Sequence, residues 1–159
     1  SSGEEPYSMA ITLLDALSDK GIWDIKLLAT DVSTRMIEKA QTGVYDAQRI
    51  LPLSPSQKFK YLRSIRTIHN RGFEVKGFVK NLITFGYLNL MENFPFNGPI
   101  DFIFCRNVMI YFDKETQQEL INKFYRVLSP GGVLFTGHSE SLTGIDHNFK
   151  YVKPTIYQK

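Results

Sequence analysis

The feature of this sequence that most restricts its fold is the alternation of short apolar runs with amphipathic helical segments. Two apolar runs, Ile100–Cys105 and 133–137, each predict a buried strand. They flank a segment in which apolar residues recur at helical spacing and which Asp113 can cap. Such alternation is typical of an open α/β sheet with helices on both faces. Because ligands of these sheets bind beyond the carboxyl ends of the strands, the site is expected there.

The first half of the chain predicts the same succession. A helix is expected over 5–18, a mostly buried strand over 25–31, and a second helix that Ser33 or Thr34 begins and Gly43 ends.

The middle and the end of the chain follow different patterns. A short helix is expected near 55–63, then one or two antiparallel strands in a stretch that contains the runs 73–77 and 82–88, then a return to the main sheet. The run 129–132, Ser-Pro-Gly-Gly, should end the helix that Asp113 begins, and 151–157 should form a terminal hairpin.

Composition restricts the protein's class. A chain of 159 residues that is 43% apolar can bury one core, so a single domain is expected over 1–159. No apolar run is long enough to span a membrane, and the first residues lack the pattern of a signal peptide, so a cytoplasmic protein without membrane insertion is expected. The one cysteine, Cys105, is expected in the core, and no metal site is expected. The net charge of +3 is dispersed, so no nucleic-acid partner is expected.

The first polar cluster is Gly3-Glu4-Glu5-Pro6, a glycine turn that opens a helix. Free N–H groups at a helix start attract an anion, whereas the two glutamates suit an ammonium, so an amino-acid-like ligand fits better than a phosphate. On this segment alone, glutamates that merely favour the helix dipole are an equally good interpretation.

Two further clusters follow the ends of predicted strands. Asp31 stands where a carboxylate commonly accepts hydrogen bonds from ribose, although it could instead cap the next helix. Asparagine amides can pair with an adenine edge, and a tyrosine beyond a strand can line a pocket. On these residues alone, a structural ion pair of Arg106 and core packing of Tyr111 are the better interpretation. The residues of this third cluster are Asn89, Leu90, Arg106, Asn107 and Tyr111.

Several strings combine these residues into one long pattern. They are Ser-Gly-Glu-Glu-Pro-Tyr-Ser-Met-Ala at 2–10, Ala-Thr-Asp at 29–31, Asn-Leu at 89–90, Phe-Cys-Arg-Asn-Val-Met-Ile-Tyr-Phe-Asp at 104–113, Leu-Ser-Pro-Gly-Gly at 128–132 and Gly-His-Ser-Glu at 137–140. Together they resemble the CheR family of chemotaxis receptor methyltransferases. The resemblance implies a Rossmann-like class I S-adenosylmethionine-dependent methyltransferase fold with a small antiparallel β-subdomain insertion, approximately 71–88, and without the family's first strand.

The resemblance also implies what the residues do. The enzyme would transfer a methyl group from S-adenosylmethionine to receptor glutamate carboxylates, leaving S-adenosylhomocysteine. Gly3 would belong to the cofactor loop and Glu5, rather than Glu4, would hold the methionine ammonium. Asp31 would bind the ribose. Asn89 and Leu90 would border the adenosine. Arg106 and Asn107 would line the cofactor pocket, and Tyr111 would lie nearest the methyl group.

The implied partner is the cytoplasmic domain of chemotaxis receptors, whose C-terminal tail docks on the β-subdomain in some members. A strand edge left unpaired by the missing strand would favour association with another chain. Two alternatives stay open: a cofactor-binding signalling module without transfer activity, and a methyltransferase for another substrate.

Overall fold

The computed structural model describes residues 2–66 and 71–159, with Arg71 described through its backbone only. Its contacts divide the chain into two compact units, the first ending at Asn89 and the second running from Leu90 to Lys159. The elements of the first unit are α1 (Glu4–Leu17), β1 (Leu27–Asp31), α2 (Thr34–Thr42), β2 (Val44–Tyr45), α3 (Pro55–Tyr61), β3 (Leu62–Arg66), β4 (Arg71–Val75), α4 (Gly77–Lys80) and β5 (Ile83–Tyr87). Those of the second are β6 (Ile100–Cys105), a 3₁₀ turn (Met109–Tyr111), α5 (Lys114–Val127), β7 (Leu128–Thr136), β8 (Lys150–Lys153) and β9 (Ile156–Gln158).

The first unit contains a sheet of two parallel strands, β1 and β5. Strand β1 runs beside β5 in a register that starts at Leu27 and Ile83 and ends at Asp31 and Tyr87. The side chains that α1 buries are Tyr7, Ala10 and Ile11. The Tyr7 ring lies 5.8 Å from the ring of Phe85 in β5. The apolar stripe of α1 therefore packs on this strand pair.

The predicted boundaries of α2 are confirmed by its caps. Ser33 accepts a hydrogen bond from the Met36 N–H, which satisfies one of the free donors at the helix start. Gly43 ends the helix in the left-handed conformation with φ of +59°, which glycine adopts without steric cost.

A separate antiparallel sheet, in the order β2, β4, β3, belongs to the first unit. Its centre holds Glu74, which accepts hydrogen bonds from Lys80 at 2.8 Å and from the Arg63 Nε at 2.7 Å. The interval 71–88 predicted for the insertion contains β4 of this sheet and also β5, which pairs with β1. The boundaries of a β-subdomain stay a prediction.

The second unit is built on a four-stranded sheet in the order β6, β7, β9, β8. Strands β6 and β7 are parallel, and β7, β9 and β8 are antiparallel to one another in turn. Asp113 begins α5 by accepting from the Thr116 N–H at 2.9 Å, as predicted. One core cluster fills this unit and includes Cys105, Leu120, Ile121, Phe124, Leu134 and Tyr157.

The expected burial of two strands is wrong. Strands β1 and β6 were expected to be mostly buried, yet each buries one side chain only, Leu27 and Cys105 respectively, and Leu28 is 52% exposed. Among the described residues each pairs with one neighbour, so one side of the strand lacks a flanking strand.

The run 129–132 was expected to end α5, and the helix does end just before it, at Val127. Strand β7, which was expected over 133–137, begins earlier and extends through this run. The N–H of Gly131 donates to the Lys159 carbonyl at 3.0 Å and the Lys159 N–H donates to Gly132 at 2.9 Å. A distant partner at the chain's end therefore holds this segment extended.

In the part of the chain that the structure describes, no helix combines the length and the apolar character needed to cross a bilayer.

Candidate functional site

Two of the predicted site residues lie at one edge of the β1–β5 pair. Asp31 is the last residue of β1, and Asn89 follows the end of β5 by two residues. The Leu88 N–H donates to the Asp31 carbonyl at 3.2 Å, so the two chains are still paired where the strands end. Because the strands are parallel, both residues lie at the carboxyl edge, where α/β sheets bind nucleotides.

The Asp31 side chain is half-buried and has a defined local partner. Its Oδ1 accepts a hydrogen bond from the Ser33 N–H at 2.9 Å. Burial opposes ionisation of this carboxyl, but hydrogen bonds and a nearby positive charge outweigh burial and hold its pKa below the ordinary value. Asp31 is therefore a carboxylate at neutral pH. Contrary to one interpretation of the sequence, it does not cap α2 directly, because Ser33 does so.

Gly3 begins α1 in a conformation that requires glycine. Its φ is +94°, and a Cβ placed there would lie 2.7 Å from the Tyr45 hydroxyl and 2.9 Å from the Ala40 Cβ. The Tyr45 hydroxyl donates to the Ser2 carbonyl at 2.9 Å. Burial raises the pKa of Tyr45, so the hydroxyl stays neutral and keeps its donor. The missing side chain thus allows this turn to pack on the protein's own α2 and Tyr45.

The two glutamates of the first turn of α1 are in different situations. Glu4 accepts a hydrogen bond from the Ser2 hydroxyl at 2.7 Å and forms an ion pair with Arg49. Partial burial opposes ionisation of Glu4, but its interactions with Ser2 and Arg49 outweigh burial and hold its pKa below the ordinary value. Glu4 therefore has a structural role in this unit. Glu5 lies beside it in the same first turn and is also half-buried.

Three predicted residues follow β6 in the second unit. Arg106 and Asn107 come directly after Cys105, and Tyr111 ends the 3₁₀ turn. Asn107 has φ of +58°, a left-handed conformation that costs a residue with a Cβ free energy and is commonest for asparagine. The Tyr111 side chain is 79% exposed. These three residues are exposed to solvent, so the left-handed backbone at Asn107 must be stabilised by other parts of the protein.

Glu140 holds that backbone. It is 95% buried, since its exposed fraction is 5%. Its Oε1 accepts from the N–H groups of Val108 and Met109, and its Oε2 accepts from those of Asn107 and Gly137, all at 2.7 Å. We call these four hydrogen bonds the Glu140 clamp. Only a carboxylate offers two acceptor oxygens and no donor, so it satisfies all four groups.

The sequence interpretation missed Glu140 because the clamp is not local. Asn107 lies 33 positions away along the chain. A signal was nevertheless present at Gly137, which directly follows β7 in the string Gly-His-Ser-Glu. A Cβ there would lie 2.4 Å from the Glu140 Oε2 and 3.1 Å from the Asn107 nitrogen, so only glycine lets the clamp form.

Leu90 lies in a segment whose backbone is hydrogen-bonded by a lysine of α5. Its side chain packs against the core cluster of the second unit. The Lys123 ammonium donates to the carbonyls of Leu90 at 3.2 Å, Met91 at 2.9 Å and Glu92 at 3.1 Å. One positive charge therefore fixes the backbone that follows Asn89.

The residues at the strand ends offer hydrogen-bonding groups that a nucleotide ligand could use. Among the described residues no group of three His, Cys, Asp or Glu side chains is placed to hold an ion. Each parallel strand pair instead carries polar residues at a carboxyl end, and the ionised Asp31 suits a ribose diol. This is the chemistry of a nucleotide-binding α/β domain.

Comparison with known proteins identifies the family. The family model described as CheR methyltransferase, SAM binding domain, matches residues 1–158. The chain belongs to this family, and its elements are consistent with the class I S-adenosylmethionine-dependent methyltransferase fold.

Curated relatives agree. A probable chemotaxis protein methyltransferase of Rhizobium etli is 40% identical over 159 residues, covering 99% of this chain and 59% of the relative. Chemotaxis protein methyltransferases of Salmonella typhimurium and Escherichia coli are 43% and 41% identical over 161 and 159 residues, covering 99% of this chain in both cases and 54% and 55% of the relatives. The chain thus spans little more than half the length of the curated relatives it matches.

Proposed function

We propose that this domain transfers the methyl group of S-adenosylmethionine to glutamate side-chain carboxylates of chemotaxis receptors, giving glutamate methyl esters and S-adenosylhomocysteine. The observation that carries the proposal is the match to the family's SAM-binding domain over residues 1–158. Relatives about 40% identical are named chemotaxis protein methyltransferases, which supports the receptor as substrate. A cytoplasmic location is part of the proposal, since the cytoplasmic domain of the receptor would be the acceptor.

The proposed cofactor contacts of the first unit follow from the residues at α1 and at the β1–β5 edge. Glu5 would hold the methionine ammonium beside the turn at Gly3. Asp31 would accept from the ribose hydroxyls, because it ends β1 at the carboxyl edge of the strand pair and is ionised at neutral pH. Asn89 would offer its amide to the adenine edge.

The proposed contacts of the second unit follow the end of β6 and the Lys123-held segment. Leu90 would border the adenosine, and Arg106 and Asn107 would line the cofactor pocket. Tyr111, 79% exposed, would lie nearest the reacting methyl group and orient the acceptor by hydrogen bonding or packing.

The proposed chemistry requires positioning rather than proton transfer. When bound, S-adenosylmethionine supplies a methyl group made electrophilic by its sulfonium. The acceptor glutamate is already ionised at neutral pH, so no side chain of this domain has to remove a proton. The residues would contribute by aligning the acceptor and limiting water, and alignment alone can lower a barrier by about 7–11 kcal/mol. Since Tyr111 is exposed, the receptor itself would complete the exclusion of water.

Two further partners are proposed with the receptor. Docking of a receptor C-terminal tail would use the antiparallel sheet of β2, β4 and β3, whose outer strand β3 offers an edge among the described residues. Association with another chain would use the open side of β1 or β6, each of which pairs with one strand in the described part of the molecule.

A labelling experiment tests the proposal. Full-length protein is incubated with methyl-labelled S-adenosylmethionine and membranes that contain chemotaxis receptors, and the label is then tested for release by mild alkali. The proposal predicts alkali-labile label on the receptor, since methyl esters hydrolyse and methylated amines do not. Cofactor binding without labelled receptor would instead indicate a signalling module, and label on another molecule would indicate another substrate.

A further inference from the structure

Glu140 has no role in the chemistry just proposed, yet it is the most enclosed acid that the structure describes in the second unit. Its own backbone is fixed at the end of β7. Its N–H donates to the Gly137 carbonyl at 2.9 Å, and its carbonyl accepts from the Thr136 hydroxyl at 2.8 Å. A side chain that starts from so fixed a point places its two oxygens reproducibly.

The oxygens reach across to the neighbouring strand's end. Three of the four donors in the Glu140 clamp are the consecutive N–H groups of Asn107, Val108 and Met109. These residues connect β6 to the 3₁₀ turn and include the left-handed Asn107. Consecutive N–H groups converge on one point only when the backbone curves around that point. An acceptor without a donor at the centre of this curve, here called the curl, stabilises the conformation.

The segment held in this way carries the residues assigned to the cofactor and the methyl group. Arg106 precedes the clamped amides, Asn107 is one of them, and Tyr111 follows them by two positions. The Tyr111 side chain is 79% exposed, so its position depends on the backbone from which it projects. A change in the curl would turn all three together.

We infer that Glu140 is a positioning residue for methyl transfer, which acts through the backbone of Asn107, Val108 and Met109 and touches neither cofactor nor acceptor. The inference rests on the proposed function of the domain. It differs from a purely structural role in one respect: protein that is folded but lacks the clamp should be a poor enzyme, not merely a less stable one.

The test compares Glu140→Gln, Glu140→Asp and a control, Glu119→Gln, in the full-length protein. Gln keeps the shape but replaces one acceptor oxygen by a donor, and Asp keeps the acceptors on a side chain one methylene shorter. Glu119 lies exposed on α5, so its substitution makes the same charge change away from the clamp. Near-ultraviolet circular dichroism establishes the folded fraction, and all rates and affinities are expressed per folded molecule.

We expect Glu140→Gln to raise the dissociation constant for S-adenosylhomocysteine by about tenfold and to lower kcat at saturating S-adenosylmethionine by about tenfold to a hundredfold, as misplaced reacting groups do. Glu140→Asp should fall between Gln and the wild type, and Glu119→Gln should match the wild type. A folded Glu140→Gln with the wild-type affinity and kcat would overturn the inference and leave the proposed function intact. Wild-type protein that binds no S-adenosylhomocysteine would instead refute the proposed function.

Amide hydrogen exchange on the wild-type protein covers the case in which neither variant folds. The amide of Asn107, although on an exposed residue, should exchange slowly, and saturating S-adenosylhomocysteine should slow the amides of Asn107, Val108 and Met109 more than those of α5. Equal slowing of both sets, or none, would overturn the positioning role.

Discussion

Replacing Lys123 by methionine should loosen the segment that carries Leu90. The ammonium is half-buried on α5 and donates to three consecutive carbonyls at 2.9–3.2 Å. It also lies 5.9 Å from the centre of the Phe94 ring. Methionine has a similar length and keeps most of the apolar contact of the lysine stem, so the substitution removes mainly the charge and the three donors.

The magnitude follows from the environment of those carbonyls. A hydrogen bond to a charged group contributes about 1.5–3 kcal/mol when its partner stays desolvated. Met91 and Glu92 are exposed, so water can replace the ammonium at their carbonyls, whereas half-buried Leu90 is less accessible. One full contribution and two small ones give a loss of about 2–3 kcal/mol, to which the ring contact adds roughly 0.5 kcal/mol.

Urea denaturation followed by circular dichroism measures this loss. The control is Lys114→Met on the same helix, where the ammonium is exposed and its single contact, to the Thr143 carbonyl, is long at 3.4 Å. That variant should stay within about 0.5 kcal/mol of the wild type. If Lys123→Met were equally mild, the three hydrogen bonds would contribute nothing net and the reasoning would be refuted.

Three further predictions concern separate parts of the domain. Tyr111→Phe should leave unfolding and S-adenosylhomocysteine affinity unchanged but lower receptor methylation, and unchanged turnover would remove Tyr111 from the reaction. Gly3→Ala should cost at least about 1–3 kcal/mol of stability in urea denaturation, since it strains the backbone and meets the Tyr45 hydroxyl, and wild-type stability would contradict this. Lys80 and Arg63 hold the pKa of Glu74 below its ordinary value of 4.5, so the unfolded chain takes up the proton first and stability falls as pH drops below that value. In Glu74→Gln that part of the pH dependence should disappear from acid-unfolding curves.

Local signals in the sequence were sufficient for the helices α1, α2, α3 and α5, but α4 was not predicted. Ser33 and Gly43 delimit α2, and Asp113 begins α5, because caps act on N–H and carbonyl groups only a few residues away. The sequence also predicted strands of the parallel pairs, because short runs rich in apolar, β-branched and aromatic residues lie between turn residues. What could not follow were properties that depend on distant partners. The extension of β7 through 129–132 requires Lys159, and the exposure of β1 depends on how many strands flank it.

The candidate site divides in the same way. Asp31 could be selected as a candidate because it ends a strand that follows the glycine turn at Gly3, and its contact with ribose stays a prediction. Its hydrogen bond from the Ser33 N–H and its lowered pKa became visible only in the three-dimensional structure. Glu140 was not found, although the string that contains it was recognised, because a sequence does not show which amides a buried acid accepts from.

Calorimetric titration with S-adenosylhomocysteine tests the central claim that this domain recognises an adenosyl cofactor through Asp31. Asp31→Asn keeps an acceptor for the Ser33 N–H but replaces the other oxygen by a donor that a ribose hydroxyl cannot donate to. Asp24→Asn, exposed before the start of β1, is the matched control. We predict one saturable site in the wild type and the control, and an affinity about 5- to 150-fold weaker in Asp31→Asn, equivalent to about 1–3 kcal/mol. Binding of equal strength in all three proteins, or in none, would contradict the account.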